Sequence, residues 1–387
     1  MLGLHLPISA NRGRTVKFSK LIAITLLVGL PLTTLGIAPQ EADKDLWGKA
    51  EKATNRAIAF LRQRQTPEGA WHHAGQTPNA PLTNETIGTT ALCTLALVEI
   101  GLDTDDPAVA KAVALLRGRI KHLDSTFAIA MSVYVLERVR RSEKPNADVQ
   151  MLAEKLLRGQ HKSGGWSAHC PARPGEQEDV SSSGYAVLGL WIARRNEVQV
   201  TPQLQLAEKR FRETQRADGG WDAHFNLAPK GQSQPATTCA GMLALAFGFG
   251  SRHKPEDTQA DRPQKPRPDL KADPQVIRAR DYVSKHVGQP LPPGQANLFF
   301  LWFLERVCLV YRYTDLKGVD FDWYIWGAKY LLGSQNKDGS WAGTADTGPH
   351  FGTGLAILYL SKSHMLGLEE VIHICTFPTM TTLRLKK

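Results

Sequence analysis

The sequence predicts an all-α fold of six outer and six inner helices, and two observations carry that prediction. First, a glutamine is followed after five residues by a tryptophan four times, at residues 65–71, 160–166, 215–221 and 335–341. Second, one-sided amphipathic helices alternate along the chain with helices that are apolar on nearly all sides. A one-sided helix lies at a surface, and an all-round apolar helix lies in an interior. A repeated supersecondary unit of this kind is typical of repeat architectures.

The individual helices follow from apolar periodicity and from capping residues. Val109, Val113 and Leu116 recur at helical spacing, and Asp106 before Pro107 is a typical start of such a helix. Outer helices are predicted to start near Asp45, Pro107, Ala147, Pro202, Pro274 and Phe321. Inner helices of about three turns are predicted to start near Ile87, Phe127, Tyr185, Ala240, Leu298 and Gly354.

The Gln–Trp motif ends the first, third, fourth and sixth outer helices, whereas the second and fifth repeats lack it. A glycine inside each copy lets the chain turn with a positive φ at the end of a helix. The tryptophan brings a large apolar surface to the seam between repeats. We therefore expect Trp71, Trp166, Trp221 and Trp341 to occupy equivalent positions around one ring, close to the next outer helix.

Composition excludes several classes of function. The 387 residues carry a formal net charge of +10, but no basic run with interleaved aromatic residues occurs, so a nucleic-acid partner is not expected. The five cysteines are odd in number and include no Cys-x-x-Cys pair. We therefore expect neither a disulfide scaffold nor a zinc finger.

Three segments stand outside the repeat pattern. Residues 1–38 combine a basic start with an apolar run from residue 21, which predicts a signal peptide or an N-terminal membrane anchor, and so an exported or membrane-anchored protein. The repeats then occupy residues 45–363. Within them, residues 251–274 are rich in charge and proline and are expected to form a mobile insertion. Residues 364–387 are expected to form an irregular tail.

The Gln–Trp repeats resemble those of the terpenoid cyclase and protein prenyltransferase superfamily, and most closely the squalene–hopene-cyclase-like repeats. The resemblance covers about residues 45–363 and implies an (α/α)6 toroid, in which the inner helices enclose an apolar cavity. That superfamily contains enzymes as well as protein-binding domains, so the fold leaves the function open.

Three motifs of that superfamily have a partial counterpart or none in this chain. Asp103, Thr104, Asp105 and Asp106 match the Asp-x-Asp-Asp motif of class II cyclases, but their position before Pro107 indicates a cap on an outer helix. Cys239 and His350 fall near zinc-ligand positions of the prenyltransferases. Thr237 stands where those enzymes have an aspartate, so no metal and no cofactor are expected. The Cys-Gly-Glu-Gln thioester motif of complement-type toroids does not occur.

Polar residues at the starts of the inner helices are the remaining candidates for catalysis. Such residues sit where an apolar substrate could reach an acid and where burial could raise its pKa. The candidates are Asp346, His350, Asp124 and Asp179. Aromatic residues on the inner helices could stabilise carbocations through their π faces, or could simply pack in the core. These are Phe127, Tyr134, Tyr185, Trp191, Phe299, Phe300, Trp302 and Phe351.

Two functions agree with these features. The first is a toroid that binds, or also transforms, a prenyl or triterpenoid-like ligand. The second is a non-catalytic toroid that binds a protein partner. A polysaccharide-active α/α barrel is a third possibility, although the Gln–Trp repeats do not suggest it. Membrane association is expected only through the N-terminus.

Overall fold

The computed structural model of the protein describes residues 41–77, 80–225, 231–252, 269–290, 296–314, 316, 322–343 and 347–361. Twelve α-helices lie within these ranges. The odd-numbered helices are α1 (Glu41–Arg64), α3 (Pro107–Arg119), α5 (Ala147–Gly159), α7 (Thr201–Thr214), α9 (Pro274–Ser284) and α11 (Trp323–Ser334). The even-numbered helices are α2 (Asn84–Glu99), α4 (Thr126–Arg138), α6 (Val180–Ala193), α8 (Pro235–Ser251), α10 (Ala296–Val310) and α12 (Gly348–Leu360).

The helices form two concentric rings. Each even-numbered helix packs against the next one, and α12 packs against α2, so the inner ring closes. The odd-numbered helices lie outside it, and α1 packs on both α11 and α12. The predicted (α/α)6 toroid of six outer and six inner helices is therefore confirmed.

The inner helices begin one to six residues before the starts that the apolar pattern predicts. The reason is that their first turns are polar. Ser125 caps α4 by accepting a hydrogen bond from the Ala128 N–H, and Asp179 caps α6 by accepting one from the Ser182 N–H. Polar capping residues satisfy the free N–H groups of a first turn, so a search for apolar residues misses them.

The glutamine of each Gln–Trp motif joins two outer helices. Its side-chain amide donates one hydrogen bond to the motif glycine and one to a backbone carbonyl of the next outer helix. The pairs of acceptors are Gly69 and Ala108 for Gln65, Gly164 and Gln203 for Gln160, Gly219 and Gln275 for Gln215, and Gly339 and Ala53 for Gln335. Because Ala53 lies on α1, the fourth motif joins the last outer helix to the first and closes the outer ring.

The tryptophan of each motif joins its own outer helix to the next inner helix. The indole N–H donates to the carbonyl ten residues earlier, as Trp166 does to Leu156 at 2.7 Å. The backbone N–H donates to a hydroxyl of the following inner helix, which is Ser183 for Trp166, at 2.8 Å. The same pair of bonds recurs at Trp71, Trp221 and Trp341. All four side chains are buried, at equivalent positions. The hydrogen bonds to the next outer helix, however, come from the glutamine.

The two repeats without the motif use other donors. After α3, the Lys155 ammonium group on α5 donates to the carbonyls of Lys121 and Leu123. After α9, the indole N–H of Trp326 on α11 lies 3.3 Å from the carbonyl oxygen of Gln289. A side chain of the next outer helix thus reaches back to the end of the previous one, which reverses the direction of the glutamine bond.

The two ends of the predicted insertion, residues 251–274, belong to helical elements. Ser251 ends α8, and Leu270 lies in a 3-10 turn (Leu270–Ala272), where it is only 2% exposed. Residues 253–268 lie outside the described residues, as do residues 1–38 and 364–387, so the insertion, the leader and the tail stay predictions. None of the helices that the structure describes is long and apolar enough to cross a membrane.

Candidate functional site

The inner helices begin at one end of the toroid, beside the loops that follow the motif tryptophans. Isolated β-bridges join Ser125 to His169 and Asp179 to His224, so each of these loops crosses in front of the preceding inner helix. We call this end the mouth. It is formed by the described residues of 72–88, 124–127, 167–185, 222–236 and 347–351.

Asp124, one of the predicted site residues, lies at the mouth, where both of its carboxylate oxygens accept hydrogen bonds. One carboxylate oxygen accepts from the Asn84 amide at 2.6 Å, and the other accepts from the Arg173 guanidinium at 3.0 Å. The backbone carbonyl of Asp124 accepts from the Cys170 N–H. These partners join the start of α4 to the start of α2 and to the loop before α6.

Asp179 also lies at the mouth and is half-buried. Burial raises the pKa of its carboxyl group. Hydrogen bonds from Ser182 and the charge of His224 oppose that rise without cancelling it. A carboxylic acid with a raised pKa holds a proton more readily near neutral pH, which is what a general acid requires. Among the predicted acids that the structure describes, Asp179 is therefore the one whose environment favours that role.

His350 lies at the seam between α12 and α1. Its Nδ1 donates to the His72 carbonyl at 2.8 Å, and its ring centroid lies 5.5 Å from that of Phe60 on α1. Burial lowers the pKa of the imidazole, which favours the neutral form. Asp346 lies outside the described residues. The predicted pairing of Asp346 with His350 on one helix face stays a prediction.

Two histidines and two glutamates that sequence reasoning did not bring together also meet at the mouth. His169 pairs through Nδ1 with Glu176. Burial acts to raise the pKa of Glu85, but hydrogen bonds from its own N–H and from Thr83, together with His73 and His169, outweigh burial and lower it. Histidines recur three residues after Trp166 and Trp221, and that spacing is the signal by which His169 could have been found.

Four aromatic side chains lie next to the polar residues of the mouth, on the inner helices. The ring of Phe351 lies 5.5 Å from Phe127 and 5.2 Å from Phe299, and Phe127 lies 4.8 Å from Tyr185. Phe127 and Phe299 are only partly buried, whereas Phe351 and Tyr185 are buried. These four residues, which we call the aromatic floor, come from α4, α6, α10 and α12. They therefore span the inner ring.

The other predicted aromatic residues lie elsewhere. Phe300 faces Trp326 on outer helix α11, with 6.3 Å between ring centroids, and Trp191 stacks on Phe247 at 5.3 Å. Trp302 lies below the floor, where its ring is 5.5 Å from Tyr185. Tyr134 is buried on α4 deeper in the ring. The floor is thus assembled from four of the eight aromatic residues that the sequence singled out.

The Asp-x-Asp-Asp match lies at the opposite end of the toroid, after the end of α2. The side chains of Asp103 and Asp105 are 77% and 80% exposed and pair with Arg141. Asp106 accepts from the Ala108 N–H as the cap of α3 and pairs with Arg62. The interpretation of this motif as a helix cap is confirmed.

Cys239 and His350, the two residues weighed as zinc ligands, have unrelated surroundings. Cys239 is buried on α8, and burial raises the pKa of its thiol far above the ordinary range. A thiol in that state is a poor metal ligand, because the thiolate is the binding form. No group of three or more His, Cys, Asp or Glu residues within the described ranges is arranged to hold a metal ion.

Comparison with known families gives one match. The family of the A-macroglobulin TED domain matches residues 40–201, which is less than half of the 387-residue chain. No curated protein sequence matches the chain.

Comparison with solved structures gives several matches at low sequence identity. A variant of the type II terpene cyclase MstE from Scytonema, in complex with geranylgeranyl dihydroxybenzoate, has a TM-score of 0.54 and 16% identity, over 83% of this chain and 99% of that one. An inactive variant of the α-1,6-mannanase GH76A of Salegentibacter sp. has a TM-score of 0.54 and 10% identity, over 84% and 99%.

An unsaturated glucuronyl hydrolase specific for heparin matches equally well in fold. Its TM-score is 0.54 and its identity is 12%, over 87% of this chain and 99% of that one. The alignments run across nearly the whole of all three toroids. The chain therefore has the (α/α)6 toroid fold that these three enzymes share.

Proposed function

We propose that the mouth binds an apolar, isoprenoid-like group on the aromatic floor. The observation that carries this proposal is the exposure of Phe127 and Phe299, which lie on either side of the buried Phe351. Partly exposed aromatic rings beside a buried aromatic ring offer apolar area to a ligand.

A protein of similar fold binds a ligand of this class. The terpene cyclase MstE is seen with a geranylgeranyl dihydroxybenzoate, in a toroid of similar extent. Identity of 16% transfers the fold alone, so the ligand class here rests on the aromatic floor of this chain.

The surroundings of the acids at the mouth favour a protein that binds the ligand without cyclising it. Asp124 is held by Asn84 and Arg173, and the Asp-x-Asp-Asp match lies at the far end. A cyclase needs an acid that can protonate its substrate inside the apolar site. Asp179, whose pKa burial raises, is the first residue to test if turnover of an isoprenoid is found.

The binding proposal predicts that the double change Phe127→Ala and Phe299→Ala lowers the affinity for geranylgeraniol by tenfold or more. Two lost aromatic contacts, each worth about 0.5–1.5 kcal/mol beyond buried area, amount to about that factor. Equilibrium dialysis with labelled geranylgeraniol measures the affinity.

The matched control is Trp47→Ala, because Trp47 is a 44% exposed aromatic residue on outer helix α1, away from the mouth. It should bind geranylgeraniol like the unaltered protein. If geranylgeraniol does not bind, or if the double variant and the control bind it equally, the aromatic floor is not the ligand site.

A protein-binding toroid is the second candidate function. Its support is the match of residues 40–201 to the family of the A-macroglobulin TED domain, which is named as a domain of a larger protein. Absence of any geranylgeraniol binding, together with a folded protein, would favour this alternative.

We also propose that the protein is exported or membrane-anchored through residues 1–38. The support is the order of a basic segment and an apolar run in that leader. N-terminal sequencing of the protein from its native host should give a start shortly after residue 38 for a cleaved signal, or a membrane-bound full-length chain for an anchor. Full-length protein in the cytosol would contradict both forms.

A further inference from the structure

A fully buried arginine lies inside the inner ring, below the aromatic floor. Arg306 on α10 has an exposed fraction of 0%. Its Nη1 donates to the Trp302 carbonyl at 2.7 Å, and its guanidinium carbon lies 3.7 Å from the centre of the Trp302 ring. Nη1 also lies 3.4 Å from a carboxylate oxygen of Glu305. All of these contacts use one end or one face of the guanidinium group.

The other edge of the same group has no acceptor. Among the described residues, none accepts a hydrogen bond from Nε or Nη2 of Arg306. These two nitrogens form the edge through which arginine binds a carboxylate with two parallel hydrogen bonds. A buried charged donor left without an acceptor is costly, and proteins rarely keep one without a use.

Three further buried donors near Arg306 have no partner among the described residues. The hydroxyl groups of Tyr134 and Tyr185 and the indole N–H of Trp302 are buried, and no described residue bonds to them. The Tyr185 ring lies 5.5 Å from the Trp302 ring, on which the guanidinium stacks. Burial raises the pKa of both tyrosines, and the charge of Arg306 acts to lower it, which places both phenols within electrostatic reach of the guanidinium.

An arginine edge, two phenols and an indole N–H are all able to donate, so the missing partner of this cluster is an acceptor that carries negative charge. We propose that Arg306, Tyr134 and Tyr185 form an internal site for the carboxylate of an apolar acid. The inference rests on the proposed function and deepens it, because it gives the isoprenoid-like ligand an acidic head.

The charge of the cluster selects a single carboxylate over a phosphate or diphosphate. Among the described residues of this cluster, Arg306 supplies the positive charge, and the carboxylates of Glu305 and Glu99 already act on it. A group with two or three negative charges would leave charge uncompensated in a buried site, which is strongly unfavourable.

A chain of rings joins this site to the mouth. Phe127 contacts Tyr185 at 4.8 Å, Tyr185 contacts Trp302 at 5.5 Å, and Trp302 carries the Arg306 guanidinium. The apolar part of the ligand would lie along these rings, with its carboxylate at Arg306 and its tail at the aromatic floor.

The test compares farnesoic acid with farnesol, two probes that share one chain and differ in their head group. By isothermal titration calorimetry at pH 7.5, the unaltered protein should bind farnesoic acid about tenfold more tightly than farnesol, as expected for hydrogen bonds to a charged group. The combined change Arg306→Met and Glu305→Gln keeps the buried charge balanced. It should remove this preference and leave the affinity for farnesol unchanged.

A second variant removes a single hydroxyl group and is expected to fold like the unaltered protein. Tyr134→Phe removes a hydroxyl group that bonds to no described residue, so the melting temperature should stay the same. Its affinity for farnesoic acid should fall by a factor of about two to ten, as for one lost hydrogen bond to a charge, and its affinity for farnesol should not change.

The outcomes separate this inference from the proposed function. Equal binding of the two probes by the unaltered protein, or an undiminished preference in both variants, would overturn the carboxylate site and leave apolar binding intact. Failure of both probes to bind would overturn the proposed function as well. Phe127→Ala should weaken both probes to the same degree.

Discussion

Replacing Trp166 by alanine should lower the free energy of unfolding by about 3–5 kcal/mol, the range for truncating a large buried aromatic residue. The indole is fully buried and fills the seam between α5 and α6. Its removal leaves a cavity between two rigid helices and also deletes the hydrogen bond to the Leu156 carbonyl. Urea unfolding followed by circular dichroism measures the loss.

Two controls separate volume from hydrogen bonding at this position. Trp166→Phe keeps most of the ring but loses the indole N–H, so we expect a smaller loss of about 1–2 kcal/mol. Trp47→Ala removes a tryptophan that is 44% exposed and should cost less than about 1 kcal/mol. An equal loss from Trp47→Ala and Trp166→Ala would show that the seam does not stabilise the ring as described.

Replacing Gly164 by alanine should cost about 2–5 kcal/mol, the sum of backbone strain and overpacking. Gly164 has a φ of +111°, and a Cβ atom there would lie 2.4 Å from the Leu206 carbonyl oxygen on α7. That oxygen belongs to the backbone of a packed helix and cannot move away alone. The change would force apart the two outer helices that Gln160 joins.

Gly175 offers a matched control for the clash. It also has a positive φ, +81°, but nothing lies within 4 Å of a Cβ placed on it. Gly175→Ala should therefore show only the conformational cost of about 1–2 kcal/mol. Equal unfolding free energies for Gly164→Ala and Gly175→Ala would show that the close approach of Gly164 to α7 does not affect stability. Gly219→Ala should behave like Gly164→Ala, because its Cβ would lie 2.4 Å from the Arg278 carbonyl oxygen.

Part of the candidate site was predictable from the sequence. The starts of the inner helices are marked by polar residues before apolar runs, which is why Asp124 and Asp179 were found, and both lie at the mouth. Their partners were not predictable, since Asn84 lies 40 residues and Arg173 lies 49 residues from Asp124. Pairings at such separation depend on how neighbouring repeats pack.

The sequence by itself determined the number of helices and their alternation, and the resemblance of its repeats to those of the terpenoid cyclase superfamily implied the closed ring. These features depend on apolar periodicity and on a local motif whose contacts repeat in each copy, such as the bond from Gln335 to Ala53 that closes the outer ring. Such contacts are encoded within one repeat and its neighbour, so one good copy predicts the others.

Only the tertiary structure decided which side chains face the centre of the ring. An inner helix that is apolar on all sides has no preferred face in its sequence, so its rotation about its own axis is set by packing alone. That rotation turns Phe127 and Phe351 toward each other and buries Arg306 below Tyr185. The charged pair Glu305 and Arg306, inside an otherwise apolar helix, was visible in the sequence, but its place inside the ring follows only from the packing of α10.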